Sequence, residues 1–73
     1  MYTKKNFDRI LRLPEVCART GRSRSAIYED MQNGLFPLAV KLGPRAVGWS
    51  ESEISLWVEK RIQDRDSQHM KGA

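Results

Sequence analysis

The apolar positions change period three times along the chain, and each change marks an element. Arg9-Ile-Leu-Arg-Leu13 has a short extended character, and Pro14 biases Leu13 away from helical dihedrals. Pro14 suits the first position of a helix, and Val16, Cys17 and Thr20 then share one face of a short helix with Glu15 in its first turn. Gly21 stops that helix, and Ser23 is the natural N-cap of a second, in which Ile27 and Met31 face inward while Ser25, Tyr28 and Glu29 point elsewhere. Asn33-Gly34 ends it. Residues 14–34 therefore read as helix, tight glycine turn, helix. The period then shortens to two: Val40-Lys-Leu42 and Val47-Gly-Trp49 alternate as strands do around the turn Gly43-Pro-Arg-Ala46. Ser50 and Glu53 match a capping box, and Ile54, Trp57, Val58 and Ile62 stripe a last helix to about Arg65. Met1–Asp8 and Asp66–Ala73 carry no period and read as a flexible arm and a flexible tail around a domain at 9–65. The expected fold is mainly α with a small β-hairpin: a winged helix-turn-helix of three helices and a two- or three-stranded wing.

Seventy-three residues make one domain that buries only about 60% of its unfolded surface. The core must hold without staples, because Cys17 is the single cysteine and one histidine beside it cannot complete a zinc site. No metal or other cofactor is expected. Nor is an enzyme: His69 sits in the polar tail, Cys17 on an apolar face, and no Gly-rich phosphate loop follows a strand. With no apolar run long enough for a membrane span and no signal peptide, and a lone cysteine that suits a reducing compartment, a cytoplasmic protein is expected. The net charge of +4 points to anionic partners. It is unevenly spread: residues 1–28 carry seven Lys/Arg against Asp8 and Glu15, a net of +5, whereas residues 50–66 carry a net of −2.

The candidate chemistry gathers where the second helix opens. The N-terminal residues of the second helix of a helix-turn-helix contact base edges in the major groove. Arg22 and Arg24 bring guanidinium forks suited to guanine or phosphate, and Ser23, Ser25 and Tyr28 bring hydroxyls. Tyr28 is equally suited to packing. Glu29 and Asp30 oppose this, since acids repel phosphate; the simplest account places Asp30 in solvent and pairs Glu29 with a nearby arginine. In the hairpin, Lys41 at the base and Arg45 at the tip would let a wing reach the DNA backbone or minor groove. Trp49 and Trp57 fall at apolar positions and read as core.

Leu13-Pro-Glu-Val16, Thr20-Gly-Arg-Ser-Arg-Ser-Ala-Ile-Tyr28, Asn33-Gly-Leu-Phe-Pro37, Val40-Lys-Leu-Gly-Pro-Arg-Ala-Val-Gly-Trp49 and Glu53-Ile-Ser-Leu-Trp57 together resemble the AlpA family of phage-type regulators, from about Ile10 to Arg61. The family is similar in fold to excisionases and to the winged-helix part of MerR regulators. The resemblance implies a double-stranded-DNA-binding transcriptional regulator of a prophage or mobile element, acting on an integrase gene or as an excisionase-type recombination directionality factor. It implies Arg24, Ser25 and Tyr28 as contacts in the major groove, with Lys41 and Arg45 serving the wing. Further copies on adjacent sites, RNA polymerase or an integrase are the protein partners it suggests. Glu29-Asp30 departs from the basic or neutral residue common after the Ile-Tyr pair, which shifts weight to Arg22, Arg24 and the wing. The competing reading is a protein-interaction module, an antirepressor or adaptor, motivated by the acidic last helix and an exposed Leu35-Phe36 edge.

Overall fold

A computed structural model describes residues 8–72 of the chain, with side chains to Ser67. The elements run β1 (Ile10–Leu11), α1 (Leu13–Thr20), α2 (Arg24–Gln32), β2 (Val40–Gly43), β3 (Ala46–Ser50) and α3 (Glu51–Gly72). The strands form an antiparallel sheet in the order β1-β3-β2, so the hairpin's second strand is central and the extended stretch before Pro14 supplies the third. Ile10 pairs with Ser50 and Leu11 with Trp49 on one side; Val40 pairs with Gly48 and Lys41 with Val47 on the other. These three helices and three strands are the parts of a winged helix-turn-helix.

Every element except β2 gives the core one fully buried apolar side chain: Leu11 from β1, Val16 from α1, Ile27 from α2, Trp49 from β3 and Ile54 from α3. Phe36, in the link between α2 and β2, completes it. The expected Leu35-Phe36 edge is therefore half right. Leu35 is 59% exposed, but Phe36 is 5% exposed and meets Trp57 edge to face at 5.1 Å. Its burial follows from the end of α2. Gly34 takes a left-handed conformation (φ 72°), and the Gly34 and Leu35 amides donate to the Met31 and Asp30 carbonyls, which turns the next residue back onto the helices.

The first helix starts one residue earlier than expected, at Leu13, with Pro14 within its first turn and Arg12 as N-cap. Arg12 lacks a capping side chain; instead its carbonyl accepts from the Glu15 and Val16 amides, and its guanidinium Nε donates to the Val47 carbonyl at 3.0 Å, tying α1 to β3. Gly21 (φ 72°) ends α1, with its amide on the Cys17 carbonyl at 2.8 Å.

Two boundaries differ from the expectation. Asp66–Gly72, read as tail, lies in α3. The apolar stripe stops at Ile62, but Gln63–Lys71 contains no glycine or proline and the helix has no local reason to stop there. Asp8, read as the end of the arm, belongs to the fold. Its carboxylate accepts from the Ser50 hydroxyl (2.6 Å) and from the amide (3.0 Å) and hydroxyl (2.9 Å) of Ser52. It thus takes up a free amide at the start of α3 while the Ser50 hydroxyl accepts from Glu53 N–H at 3.2 Å. Met1–Phe7, the rest of the expected arm, lie outside the described residues.

Two outcomes follow. Hydrogen bonds from Ser50 and Ser52 hold the Asp8 carboxyl below its ordinary value of 3.8. A lowered folded-state value means that its contribution is present above that ordinary value and lost as pH falls through the folded one. Asp8→Asn should therefore lower Tm at neutral pH and narrow its gap to the wild type in acid, read by circular dichroism melts from neutral pH to pH ~2. At Gly48, a Cβ would overlap Ile10 Cγ2 and reach 3.0 Å from the Leu11 carbonyl oxygen. Gly48→Ala should cost about 1–3 kcal/mol in urea unfolding, and Ile10→Ala in that background should recover part of it. Full additivity of the two substitutions would show that no such overlap exists.

Candidate nucleic-acid interface

The second helix is built to present one side. Ser23 caps it, its hydroxyl oxygen accepting from the Ala26 amide at 3.2 Å, which leaves the hydroxyl proton free to donate. Successive residues turn by about 100° around a helix axis, so Ile27, Asp30 and Met31 share the inner side. Arg24, Tyr28 and Gln32 form a line on the outer side, flanked by Ser25 and Glu29. All five of these are exposed. Gln32 was missed in the sequence, although its i+4 spacing from Tyr28 was the available signal; a glutamine amide can pair with adenine in the major groove.

Tyr28 bridges the two alternatives left open for it. Its ring meets Trp49 edge to face with centroids 6.3 Å apart, yet the residue remains 37% exposed. It packs against the indole and still leaves more than a third of its surface to solvent.

The acids change places with the expectation. Asp30, expected in solvent, is 7% exposed, and it is Asp30 and not Glu29 that pairs with an arginine. Arg22 Nη2 donates to Asp30 Oδ2, with 37% of the arginine side chain and 11% of the aspartate side chain exposed. The spacing Ile27-x-x-Asp30-Met31 places Asp30 on the buried flank, where a carboxylate without a cation would be costly. Glu29 has no ion-pair partner among the described residues.

This pairing recasts the basic front of the chain. Arg9 lies 3.3 Å from Glu15 and 3.5 Å from Glu51. Arg19 lies 3.5 Å from Glu51 and donates to Ser55 Oγ at 3.0 Å. Arg12 is spent on the Val47 carbonyl, and Arg22 on Asp30. Lys4 and Lys5 lie outside the described residues. Of the seven basic residues in 1–28, Arg24 is the one described that no acceptor holds.

The hairpin supplies two more exposed cations without a partner among the described residues, Lys41 and Arg45. Gly43 pairs with Ala46, so Pro44-Arg45 is the whole connection. Neither has positive φ, which excludes the tight primed turns, and the ladder absorbs the mismatch as an irregularity between Lys41 and Gly43. Pro44 fixes its own φ beside Arg45.

Residues 9–62 match the family model described as Prophage CP4-57 regulatory protein (AlpA). The chain belongs to the AlpA family. Among its AlpA-type relatives, the DNA-binding transcriptional activator AlpA of Escherichia coli K12 is 41% identical over 61 residues, covering 75% of this chain and 87% of the relative. A protein of Enterobacteria phage P4 named Uncharacterized protein ORF88 is 47% identical over 58 residues, covering 80% of this chain and 66% of the relative. No solved structure is a significant match. The AlpA match begins at Arg9 and ends at Ile62, so it takes in every element but the outer half of α3. Among the described residues no helix is long and apolar enough to cross a membrane, and no group of three His, Cys, Asp or Glu side chains could hold a metal ion.

The two uses of Tyr28 separate by substitution. Tyr28→Ala should lose about 0.5–1.5 kcal/mol of aromatic pairing on top of buried area, measured by thermal melts. Tyr28→Phe should melt as the wild type does, because the contact with Trp49 is made by the ring. A Tm loss in Tyr28→Phe equal to that of the alanine variant would mean the hydroxyl has an internal partner.

Proposed function

We propose that this chain binds duplex DNA as a transcriptional regulator, with the outer line of α2 in the major groove and the β2–β3 hairpin as a wing on the adjoining backbone. The observation that carries the reading is the division among the cations. Four arginines of the first 28 residues are held by acceptors in the fold, while Arg24 at the first position of α2 and Lys41 and Arg45 in the hairpin are exposed with no partner among the described residues; the other such cation, Lys60, lies on α3. Arg24 is suited to a base edge, and Ser23, Ser25 and Tyr28 donate hydroxyls to phosphates or bases. Gln32 extends the line. Lys41 and Arg45 neutralise phosphates. The name of the E. coli relative, a DNA-binding transcriptional activator, supports the same reading.

Within it, the finer role is regulation of an integrase gene or direction of excision of a mobile element, with further copies on adjacent sites and RNA polymerase or an integrase as protein partners. The setting is a bacterial cytoplasm, at the nucleoid. No catalytic step is assigned to the chain. The protein-interaction alternative loses half its motive with the burial of Phe36, which leaves Leu35 as the exposed member of that pair.

Titration of duplex DNA at several salt concentrations tests the proposal. Binding should weaken steeply with salt, because each neutralised phosphate releases counterions. Arg24→Ala should cost about 1–3 kcal/mol and relax the preference for a selected sequence, whereas Lys41→Ala and Arg45→Ala should weaken all duplexes alike and each reduce the salt slope by about one. No binding to any duplex at low salt would sink the proposal.

A further inference from the structure

Arg22 stands immediately before the N-cap of α2, two residues from Arg24, at the end of the helix that a helix-turn-helix directs into the groove. An arginine there is suited to clasp phosphate. A phosphate contact carries no sequence information, so it strengthens binding to every duplex alike. The fold sends this guanidinium the other way. Helical phase puts Ser23 and the small Ala26 on the same side of α2 as Asp30, and the guanidinium ends on that buried carboxylate. The grip rests on charge more than on a full fork. Nη2 makes the bond to Asp30, while the buried Nε has no partner.

We propose that Asp30 is a specificity-setting positioning residue, which withholds Arg22 from the DNA backbone and so keeps affinity for unrelated duplexes low. The inference rests on the DNA-binding reading above. It also gives the acid after the Ile27-Tyr28 pair a role that does not require it to face the DNA. A neutral amide at position 30 keeps the shape of the site but not its charge, and the phosphates then compete successfully for the arginine.

The experiment is equilibrium titration of a fluorescein-labelled random-sequence duplex, with folding of each variant checked by circular dichroism. Asp30→Asn should steepen the dependence of log K on log salt by about 0.9, one phosphate contact, and so lose roughly threefold more affinity than the wild type between about 50 and 200 mM salt. Asp30→Asn combined with Arg22→Gln should return to the wild-type slope, because the released arginine is gone. Glu59→Gln removes an exposed carboxylate from α3 without releasing an arginine and should leave the slope unchanged. A purely structural ion pair would shift Tm in these variants and move no slope. An unchanged slope in Asp30→Asn overturns the proposal, and so does equal steepening by Glu59→Gln. If Asp30→Asn does not fold, Arg22→Gln decides: an unchanged slope supports the proposal, and one shallower by about 0.9 overturns it. A wild type that binds no duplex overturns the DNA-binding reading as well; a wild type that binds with a salt slope the variants do not alter overturns only the role of Asp30.

Discussion

The indole of Trp49 is the contact on which the other parts converge. It sits on the central strand of the sheet, opposite Leu11, wholly buried in a core drawn from every element except β2. Its Nε1 proton goes to the Pro37 carbonyl at 3.0 Å, which fixes the link leaving α2. Its ring meets that of Tyr28 in a T-shaped contact, which holds α2 against the sheet. One large side chain thus ties β1, β3, the α2–β2 link and α2. Without a disulfide, so small a domain depends on this concentration of buried area.

A second aromatic pair repeats the arrangement on a smaller scale. Trp57 of α3 donates its Nε1 proton to the Leu35 carbonyl at 3.0 Å and meets Phe36 edge to face, while Arg61 lies 4.7 Å over its ring. The α2–β2 link is therefore held from both sides, by Trp49 at Pro37 and by Trp57 at Leu35. Pinning the link at both points restrains the C-terminal end of α2.

Electrostatics divides the surface. Glu15, Glu51, Asp30 and the Val47 carbonyl occupy four arginines, and the Asp8 carboxylate closes the start of α3. The exposed pairs among these add little to stability, since solvent screens them. Their consequence is spatial: among the described residues they leave Arg24, Lys41 and Arg45 unpaired on α2 and the hairpin, with Lys60 unpaired on α3, so the net charge of the whole chain says less about binding than where the unpaired cations lie.

The sequence by itself determined what short-range rules govern. Gly21, Ser23, Gly34 and Ser50 set the helix ends through local hydrogen bonds and backbone conformation, and the change of period from 3.6 to two located the hairpin between two helices. The exposed positions of Arg24, Ser25, Lys41 and Arg45 were legible for the same reason. Partners distant in the chain were not. Asp8 meets Ser52 across 44 residues, Arg12 meets Val47 across 35, and the burial of Phe36 depends on Trp57 of another helix. The acids of α2 lay between these cases, since helical phase placed Asp30 inward, but the arginine that makes its burial tolerable is set by how the turn at Gly21 folds back. Only the tertiary structure decided which basic residues are spent inside the protein and which remain for a ligand, because a charge is assigned to whichever opposite charge the fold brings nearest, and sequence distance does not measure that.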